Sequence, residues 1–332
     1  MISDDEQHPP APPPRPGASV FTIEGRAAPG LFIIGWLASI LGLALVVVGA
    51  SASSGFLAYF AGPGLLSIGL IAGAGNQALE RRARGEAYAG PSPILVFGAI
   101  VAVSYFFGAI LGVLLDAAIG AAGLQVSAPI AQLIAGLLTA GIFIGLIRLT
   151  VVGTGALSWR EMGLTHIDRR ALADLTFGAS LAVPVIGVTL IAAAILLSIF
   201  KVAPTSPLPP TGQLSGLLIQ LVAAALIAPV AEELLFRGFA ITAWRGAIGL
   251  NRAIVRATLL FALAHVIGIH ADSFGEAVGL IVVGMGIRVP VAIVLGWLFV
   301  RRGSIWAPIG LHATFNAVLL ILAHLAVTSA TS

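Results

Sequence analysis

Residues 215–242 read SGLLIQLVAAALIAPVAEELLFRGFAIT, and this stretch decides both the class of the fold and where to look for chemistry. It is longer than the roughly 20 apolar residues that a helix needs to cross a bilayer. Glu232, Glu233 and Arg237 nevertheless lie well inside it. An ionisable side chain at such a depth costs at least a few kcal/mol unless it has a partner or a function. The stretch therefore predicts a membrane helix that carries functional groups.

The composition of the whole chain agrees with this interpretation. Of its 332 residues, 58% are hydrophobic and only 9% are charged, whereas average globular domains carry about 25% charged residues. So few charges cannot cover a water-exposed surface, and most of the surface is expected to face lipid. The net charge of +3 comes from arginines at loop positions, which form no basic patch for nucleic acid. The absence of cysteine excludes disulfides, thiolate zinc sites and cysteine nucleophiles.

Further apolar runs predict an all-α, polytopic transmembrane bundle of about eight or nine membrane helices. The second run is interrupted by Pro63, and the seventh is short, with an end near His270 and Asp272 that is expected to be irregular. The runs cover residues 31–50, 55–75, 93–115, 129–152, 175–200, 215–242, 253–268, 279–300 and 305–326.

The basic residues predict an orientation because they lie in alternate loops. Arginines follow the second, fourth, sixth and eighth runs, and the other loops carry almost none, with Lys201 as the exception. The positive-inside rule then places the amino terminus in the cytoplasm and the carboxyl terminus outside the cell membrane. The arginines concerned are Arg81, Arg82, Arg84, Arg148, Arg160, Arg169, Arg170, Arg245, Arg252, Arg256, Arg301 and Arg302.

Three parts are predicted along the chain. Residues 1–30 are proline-rich and lack the apolar core of a secretory signal, so they are predicted to form a disordered cytoplasmic tail. Residues 31–152 are predicted to form amino-terminal membrane helices. Residues 153–332 form the predicted functional core, because the intramembrane polar residues are concentrated there.

The sixth run contains a predicted ion pair and a second carboxylate. Glu233 and Arg237 are four residues apart, so they share a helical face and can pair. Glu232 lies about 100° around the helix and is left without that partner. A single Glu–Arg pair would be an ordinary structural device, but an adjacent free glutamate favours a functional site.

Three more polar residues are predicted to lie at the depth of Glu232. His265 lies in the seventh run, and His312 and Asn316 share a face of the ninth because they are four residues apart. Counted from the arginines that mark the cytoplasmic ends of these runs, Glu232, His265 and His312 lie about 15–20 Å deep. We therefore expect these helices to bring their polar side chains together.

Two kinds of hydrolysis fit this set of residues. Glu232 beside His265 can take a proton from water as a general base, while His312 and Asn316 can donate hydrogen bonds to an oxyanion. Glu232, His265 and His312 are also the ligand types of a catalytic zinc site with one open position. The spacing does not decide between the metal-free and the zinc-dependent alternative. The chain has no His-Glu-x-x-His motif, no Gly-x-Ser-x-Gly motif and no phosphate-binding loop.

These motifs resemble those of the CAAX prenyl protease 2 and bacteriocin-processing (CPBP, or Abi) family of intramembrane proteases. The resemblance covers about residues 159–322 and includes the context Phe236-Arg237-Gly238 and the segment 303–308 before the last motif. The motifs that carry it are Glu232-Glu233-x-x-x-Arg237, Phe261-x-x-x-His265 and His312-x-x-x-Asn316.

The resemblance implies an endopeptidase in a helical bundle, with a cavity open to the cytoplasm and a peptide or protein substrate reached from the membrane or cytoplasmic side. Members trim prenylated CAAX proteins in eukaryotes or are linked to bacteriocin processing and self-immunity in prokaryotes. Some were labelled metalloproteases, which leaves zinc open. The implied roles are catalytic base for Glu232, activation of water for His265, shaping of the site for Glu233 and Arg237, and the oxyanion hole for His312 and Asn316.

Two other function classes were weighed against an endopeptidase. A proton- or ion-coupled transporter needs polar residues through the whole membrane, but the outer halves of the late runs are almost purely apolar. A non-catalytic scaffold or immunity protein predicts a broken motif, but every motif position is present. The sequence therefore favours an intramembrane endopeptidase.

Overall fold

The computed structural model describes residues 23, 25–123, 126–202 and 210–330. Within these ranges the secondary structure is helical and no strand occurs, so the predicted all-α bundle is confirmed. Of the tail predicted for residues 1–30, residues 1–22 and 24 lie outside the described residues, and Pro29 and Gly30 already belong to the first helix. The α-helices are α1 (Pro29–Ser51), α2 (Gly62–Ala83), α3 (Pro93–Ala122), α4 (Ala128–Ile147), α5 (Arg169–Ser180), α6 (Ala182–Phe200), α7 (Leu214–Leu221), α8 (Ala228–Glu233), α9 (Thr242–Ile248), α10 (Leu250–Ala264), α11 (Phe274–Gly286), α12 (Val289–Arg302) and α13 (Trp306–Ala330).

Several of these helices join end to end into membrane-length segments. In the described part of the chain, 8 segments are long and apolar enough to cross a bilayer, which makes the chain a multi-pass membrane protein. They are Pro29–Ser51, Leu57–Ala83, Pro93–Ala122, Ala128–Val152, Arg169–Phe200, Leu214–Ile248, Phe274–Arg302 and Trp306–Ala330. The segment continues through Pro63, but it is irregular just before it, where the π-helical stretch Leu57–Ala61 leads into α2.

The seventh predicted run, residues 253–268, does not form a full span. Helix α10 has 15 residues, which gives a length of about 22 Å, less than the roughly 30 Å of hydrocarbon in a bilayer. The α-helical ladder ends where the backbone N–H of His265 bonds the carbonyl of Ala262. Residues 265–273 then turn irregularly before α11, as expected for the region around His270 and Asp272.

The loops that carry the arginines gather at one end of the bundle. Arg82, at the end of α2, donates to the carbonyl of Thr154, which follows α4. Arg302, at the end of α12, donates to Asp174 of α5 over 2.6 Å, and Arg170 donates to the carbonyl of Arg302 over 3.4 Å. This is the clustering of positive charge that the positive-inside rule requires. Which side of the membrane it faces stays a prediction.

A short loop at this end fixes the start of α13. Glu161 accepts hydrogen bonds from the backbone N–H and the hydroxyl of Ser158, both at 2.7 Å. These bonds hold the pKa of the Glu161 carboxyl below its ordinary value. The next residue, Met162, is fully buried in the main core, and the carbonyl of Gly163 accepts from the N–H of Ile305 at 3.1 Å. This loop is thus docked against the core, next to the helix that carries His312.

Helices α5 and α13 approach each other closely through two glycines. A methyl group on Gly178 would collide with the carbonyl of Ala307, and one on Gly310 would collide with the carbonyl of Leu175. Small residues allow such backbone approach between membrane helices. Because Gly310 is two positions before His312, this contact also sets the position of that histidine.

Replacing Gly310 by alanine is expected to push α13 away from α5 and lower the free energy of unfolding by about 1–3 kcal/mol, the usual range for overpacking. The measurement is the midpoint of thermal unfolding in detergent. Gly187→Ala in α6 is the matched control, because a methyl group there meets nothing within 4 Å. Equal midpoints for the two variants would contradict the proposed role of the contact.

Candidate active site

The predicted ion pair in the sixth span is present and completely buried. Arg237 Nη1 lies 3.0 Å from Glu233 Oε1, and the two side chains are 1% and 0% exposed. Arg237 Nη2 also donates to the carbonyl of Ala292 in α12 over 3.3 Å. The pairing inferred from the four-residue spacing is therefore confirmed, and it anchors this span to a neighbouring helix.

The helix that carries this pair is not regular. Helix α8 is a six-residue segment between two π-helical stretches, Val222–Ile227 and Leu234–Ile241. Such wide turns are rare and are frequent at functional sites. In the sequence they look like any other apolar helix, so hydropathy alone could not predict them.

His312 is held by the same carboxylate that pairs with Arg237. Its Nδ1 lies 2.7 Å from Glu233 Oε1, although the two residues are 79 positions apart. Glu233 is paired with Arg237, and an ionised carboxylate accepts hydrogen bonds but cannot donate them. Nδ1 of His312 therefore carries the hydrogen and donates it. This leaves His312 Nε2 facing Glu232, with a distance of 3.9 Å to Glu232 Oε2.

His265 has a similar arrangement on the other side of Glu232. Its Nδ1 lies 2.8 Å from the carbonyl oxygen of Phe261. A carbonyl accepts only, so Nδ1 again carries the hydrogen. Nε2 of His265 lies 3.9 Å from Glu232 Oε2, the same distance as Nε2 of His312. Each imidazole is thus oriented through its Nδ1 atom and presents its Nε2 atom to the same oxygen, Oε2 of Glu232.

Glu232 lies at the centre of this arrangement without a direct partner. Its side chain is 21% exposed, and Oε2 accepts no hydrogen bond. A separation of 3.9 Å is too long for a hydrogen bond and is wide enough for a bridging water. The predicted convergence of Glu232, His265 and His312 is therefore present in the structure.

The ring of Phe261 packs against three of these side chains. Its centroid lies 4.6 Å from that of His265 and 5.7 Å from that of His312, and Arg237 Cζ lies 4.5 Å from it. Cation–π contacts of this kind are most favourable where water is excluded. Phe261 was part of a recognised motif, but its contact with Arg237 and His312 could not be read from spacing within one helix.

A cavity of about 540 Å³ contains the reactive side of the site. Asn316 lines it and donates from Nδ2 to the carbonyl of Ala224 over 2.8 Å. This leaves one of its two amide hydrogens for another acceptor. Arg288 also lines the cavity and is not among the residues predicted from the sequence. An arginine inside the apolar run 279–300 was a signal in itself, because intramembrane cations are rarely accidental.

The predicted zinc site fits by ligand type but not by spacing. Two imidazole Nε2 atoms and a carboxylate are suitable ligands, and both rings have the second hydrogen bond that zinc-bound histidines use. However, tetrahedral zinc with bonds of about 2.0–2.2 Å holds its ligand atoms about 3.4 Å apart, against 3.9 Å here. Among the described residues no group of three such side chains is arranged to hold a metal ion, and the mechanism below uses none.

A family comparison agrees with this geometry. Residues 214–318 match a family model described as type II CAAX prenyl endopeptidase Rce1-like. This segment is similar to the Rce1-like family. The match confirms the resemblance found in the sequence. No curated protein and no solved structure gives a significant match to the chain.

The Rce1-like segment begins at α7 and ends within α13, so it includes Glu232, Glu233, Arg237, His265, His312 and Asn316. It is shorter than the region of resemblance, residues 159–322, and leaves out the docked loop and helices α5 and α6. The Rce1-like family is a family of proteases, which supports peptidase activity in general. The catalytic type and the roles of single residues remain proposals.

Proposed function

We propose that this chain is an intramembrane endopeptidase that hydrolyses a peptide bond with water activated by Glu232 and His265. One observation carries the proposal: the free oxygen of Glu232 lies 3.9 Å from the Nε2 atoms of both His265 and His312. These three atoms bound a space that one water molecule can fill, at the wall of a cavity large enough for a short peptide segment.

Glu232 and His265 can activate water because each offers it a free hydrogen-bond acceptor. Water in this space can donate one hydrogen to Glu232 Oε2 and the other to His265 Nε2, whose lone pair is free because Nδ1 donates to Phe261. As the water oxygen attacks the carbonyl carbon, Glu232 takes the proton. A positioned base of this kind contributes about 10²–10⁴-fold to the rate.

Stabilisation of the oxyanion would come from α13. Asn316 has one amide hydrogen left after its bond to Ala224. His312, whose Nδ1 lies 2.7 Å from Glu233 Oε1, would be the second donor, from Nε2, when its ring carries both protons. Glu233 and Arg237 would thus act through His312, as positioning residues rather than as groups that touch the substrate.

The substrate is proposed to be a peptide or protein segment that reaches the cavity from the bilayer or from the cytoplasmic end. Prenylated CAAX peptides and leader-bearing peptides are the two classes that the family resemblance suggests. The proposed location is the cell membrane, with the arginine-rich end of the bundle in the cytoplasm.

The test is proteolysis by the purified full-length chain in liposomes, on a panel of prenylated and leader-bearing peptides, with products identified by mass. Cleavage is expected for the wild type and not for His265→Ala. Metal content and the effect of a chelator are measured on the same sample. If a folded wild type cleaves no peptide of either class, the proposal is wrong.

Replacing Asn316 by alanine is expected to lower kcat by about 10²–10³, the cost of losing one oxyanion donor, with a much smaller change in KM. The measurement is steady-state kinetics on a peptide that the wild type cleaves. Thr314→Ala is the control, because Thr314 is on the same helix and does not line the cavity. A change in KM alone would assign Asn316 to binding instead.

A further inference from the structure

Arg288 is a cation in the middle of a membrane span. It lies between α11 and α12, in the segment Phe274–Arg302. Its guanidinium lines the same cavity as Glu232 and His265, and its charge acts on both of them. No step of the proposed hydrolysis uses this side chain.

The guanidinium is only partly engaged. Nη1 donates to the carbonyl of Gly284 over 2.6 Å, whereas a guanidinium has five N–H donors. Among the described residues no carboxylate lies within 4.0 Å of it. The anion whose charge acts on Arg288 is Glu232, which lines the same cavity but forms no ion pair with it within 4.0 Å. Arg288 is therefore an arginine at membrane depth that faces a cavity without a paired anion.

An anion is the ligand that this arrangement fits. A cation without a counter-ion in a membrane is costly, and the planar guanidinium fork matches a carboxylate with two parallel hydrogen bonds. If the cavity binds a peptide, the anions that a peptide can bring are its carboxyl terminus and the side chains of aspartate and glutamate.

We propose that Arg288 binds a carboxylate of the substrate, so that the site selects peptides with an acidic group close to the scissile bond. This inference rests on the proposed function, because the ligand is taken to be the substrate peptide. Arg288 is then a specificity-determining residue. Since the base and the guanidinium share one cavity of about 540 Å³, only a few residues can separate the cleaved bond from the bound carboxylate.

A purely structural role predicts a different behaviour. The backbone N–H of Arg288 bonds the carbonyl of Met285 instead of that of Gly284. The side chain of Arg288 could therefore serve only to bond the carbonyl of Gly284. In that case replacing Arg288 would weaken the binding of every substrate equally. Glutamine is the informative replacement, because it can still donate a hydrogen bond but carries no charge.

The experiment measures binding separately from turnover. A fluorescent peptide from the panel is made in three forms: a free carboxyl terminus, a terminal amide, and an amide with aspartate as its last residue. Binding is measured by fluorescence anisotropy in the His265→Ala variant, which is expected not to cleave and keeps the charge of Glu232 beside Arg288, and in His265→Ala/Arg288→Gln. Arg301→Gln in the His265→Ala background is the control, because Arg301 is on the same span, packs on Trp297 and is outside the cavity.

The free-acid form is expected to bind about tenfold more tightly than the amide when Arg288 is present, and equally to it when Arg288 is replaced. If the aspartate amide binds tightly, Arg288 accepts the carboxylate of an acidic side chain. If it binds weakly, Arg288 requires the carboxylate of the peptide's carboxyl terminus. Equal binding of all three forms, or an equal loss for all three in the double variant, would overturn the inference.

This outcome is independent of the proposed function. Cleavage of acid and amide peptides at equal KM by both wild type and Arg288→Gln would refute the role of Arg288 and leave the endopeptidase intact. Arg288-dependent binding of acid peptides without any cleavage would support the role of Arg288 and refute the endopeptidase.

Discussion

Replacing Glu232 by glutamine is expected to lower kcat by about 10²–10⁴, the contribution of a positioned general base. The change keeps the shape of the side chain and removes the group that takes the proton. Because Oε2 of Glu232 accepts no hydrogen bond in the folded chain, the midpoint of thermal unfolding is expected to stay the same or to rise. Both quantities are measured on one detergent preparation, with turnover followed by mass spectrometry of the product.

The control for this prediction is Glu86→Gln, which removes another carboxylate far from the cavity. Glu86 forms exposed ion pairs with Arg81 and Arg84, and such pairs contribute little. Its turnover and unfolding midpoint should match those of the wild type. Wild-type turnover by Glu232→Gln would remove Glu232 from the mechanism, whereas an unfolded variant would indicate a structural role for its charge.

Replacing Glu233 by alanine is expected to be the most destabilising single change in the site. It leaves Arg237 buried at 1% exposure with no counter-ion and removes the acceptor of His312 Nδ1. Breaking a buried pair in this way costs about 3–5 kcal/mol. The measurement is the free energy of unfolding in mixed micelles, and turnover should be lost as well, since His312 is no longer oriented.

A double variant separates the loss of stability caused by an unpaired buried charge from the loss of turnover. Glu233→Met/Arg237→Met leaves no charge behind, so it should unfold at a higher temperature than Glu233→Ala while remaining inactive. Glu86→Ala, which also removes a paired glutamate, should change stability by less than about 1 kcal/mol. The assignment fails if Glu233→Ala is as stable as Glu86→Ala.

The sequence predicted the contacts that lie within one helix better than those between helices. Hydropathy located the membrane segments, and the four-residue spacing correctly paired Glu233 with Arg237. Comparison of depth predicted that Glu232, His265 and His312 would meet. These successes depend on helical periodicity and on the cost of charge in lipid, both of which are local properties of the sequence.

Other features depend on how helices pack, and the sequence could not supply them. The bond between His312 and Glu233 joins residues on different spans. The π-helical stretch Leu234–Ile241 and the early end of α10 leave no mark in the hydropathy of the sequence. Arg288 is different: the rule for intramembrane ionisable residues applies to it directly, and it was missed because it belongs to no recognised motif.

The close contact of α5 with α13 has a consequence for biosynthesis. The two glycines that permit it, Gly178 and Gly310, are separated by most of the Rce1-like segment, and α13 follows every other described helix in the order of translation. His312 therefore reaches Glu233 only after all the other described spans have been synthesised. A nascent chain that still lacks α13 would carry Glu232 and His265 but neither His312 nor Asn316, so the proposed proteolysis could begin only once the last described helix has been inserted and docked.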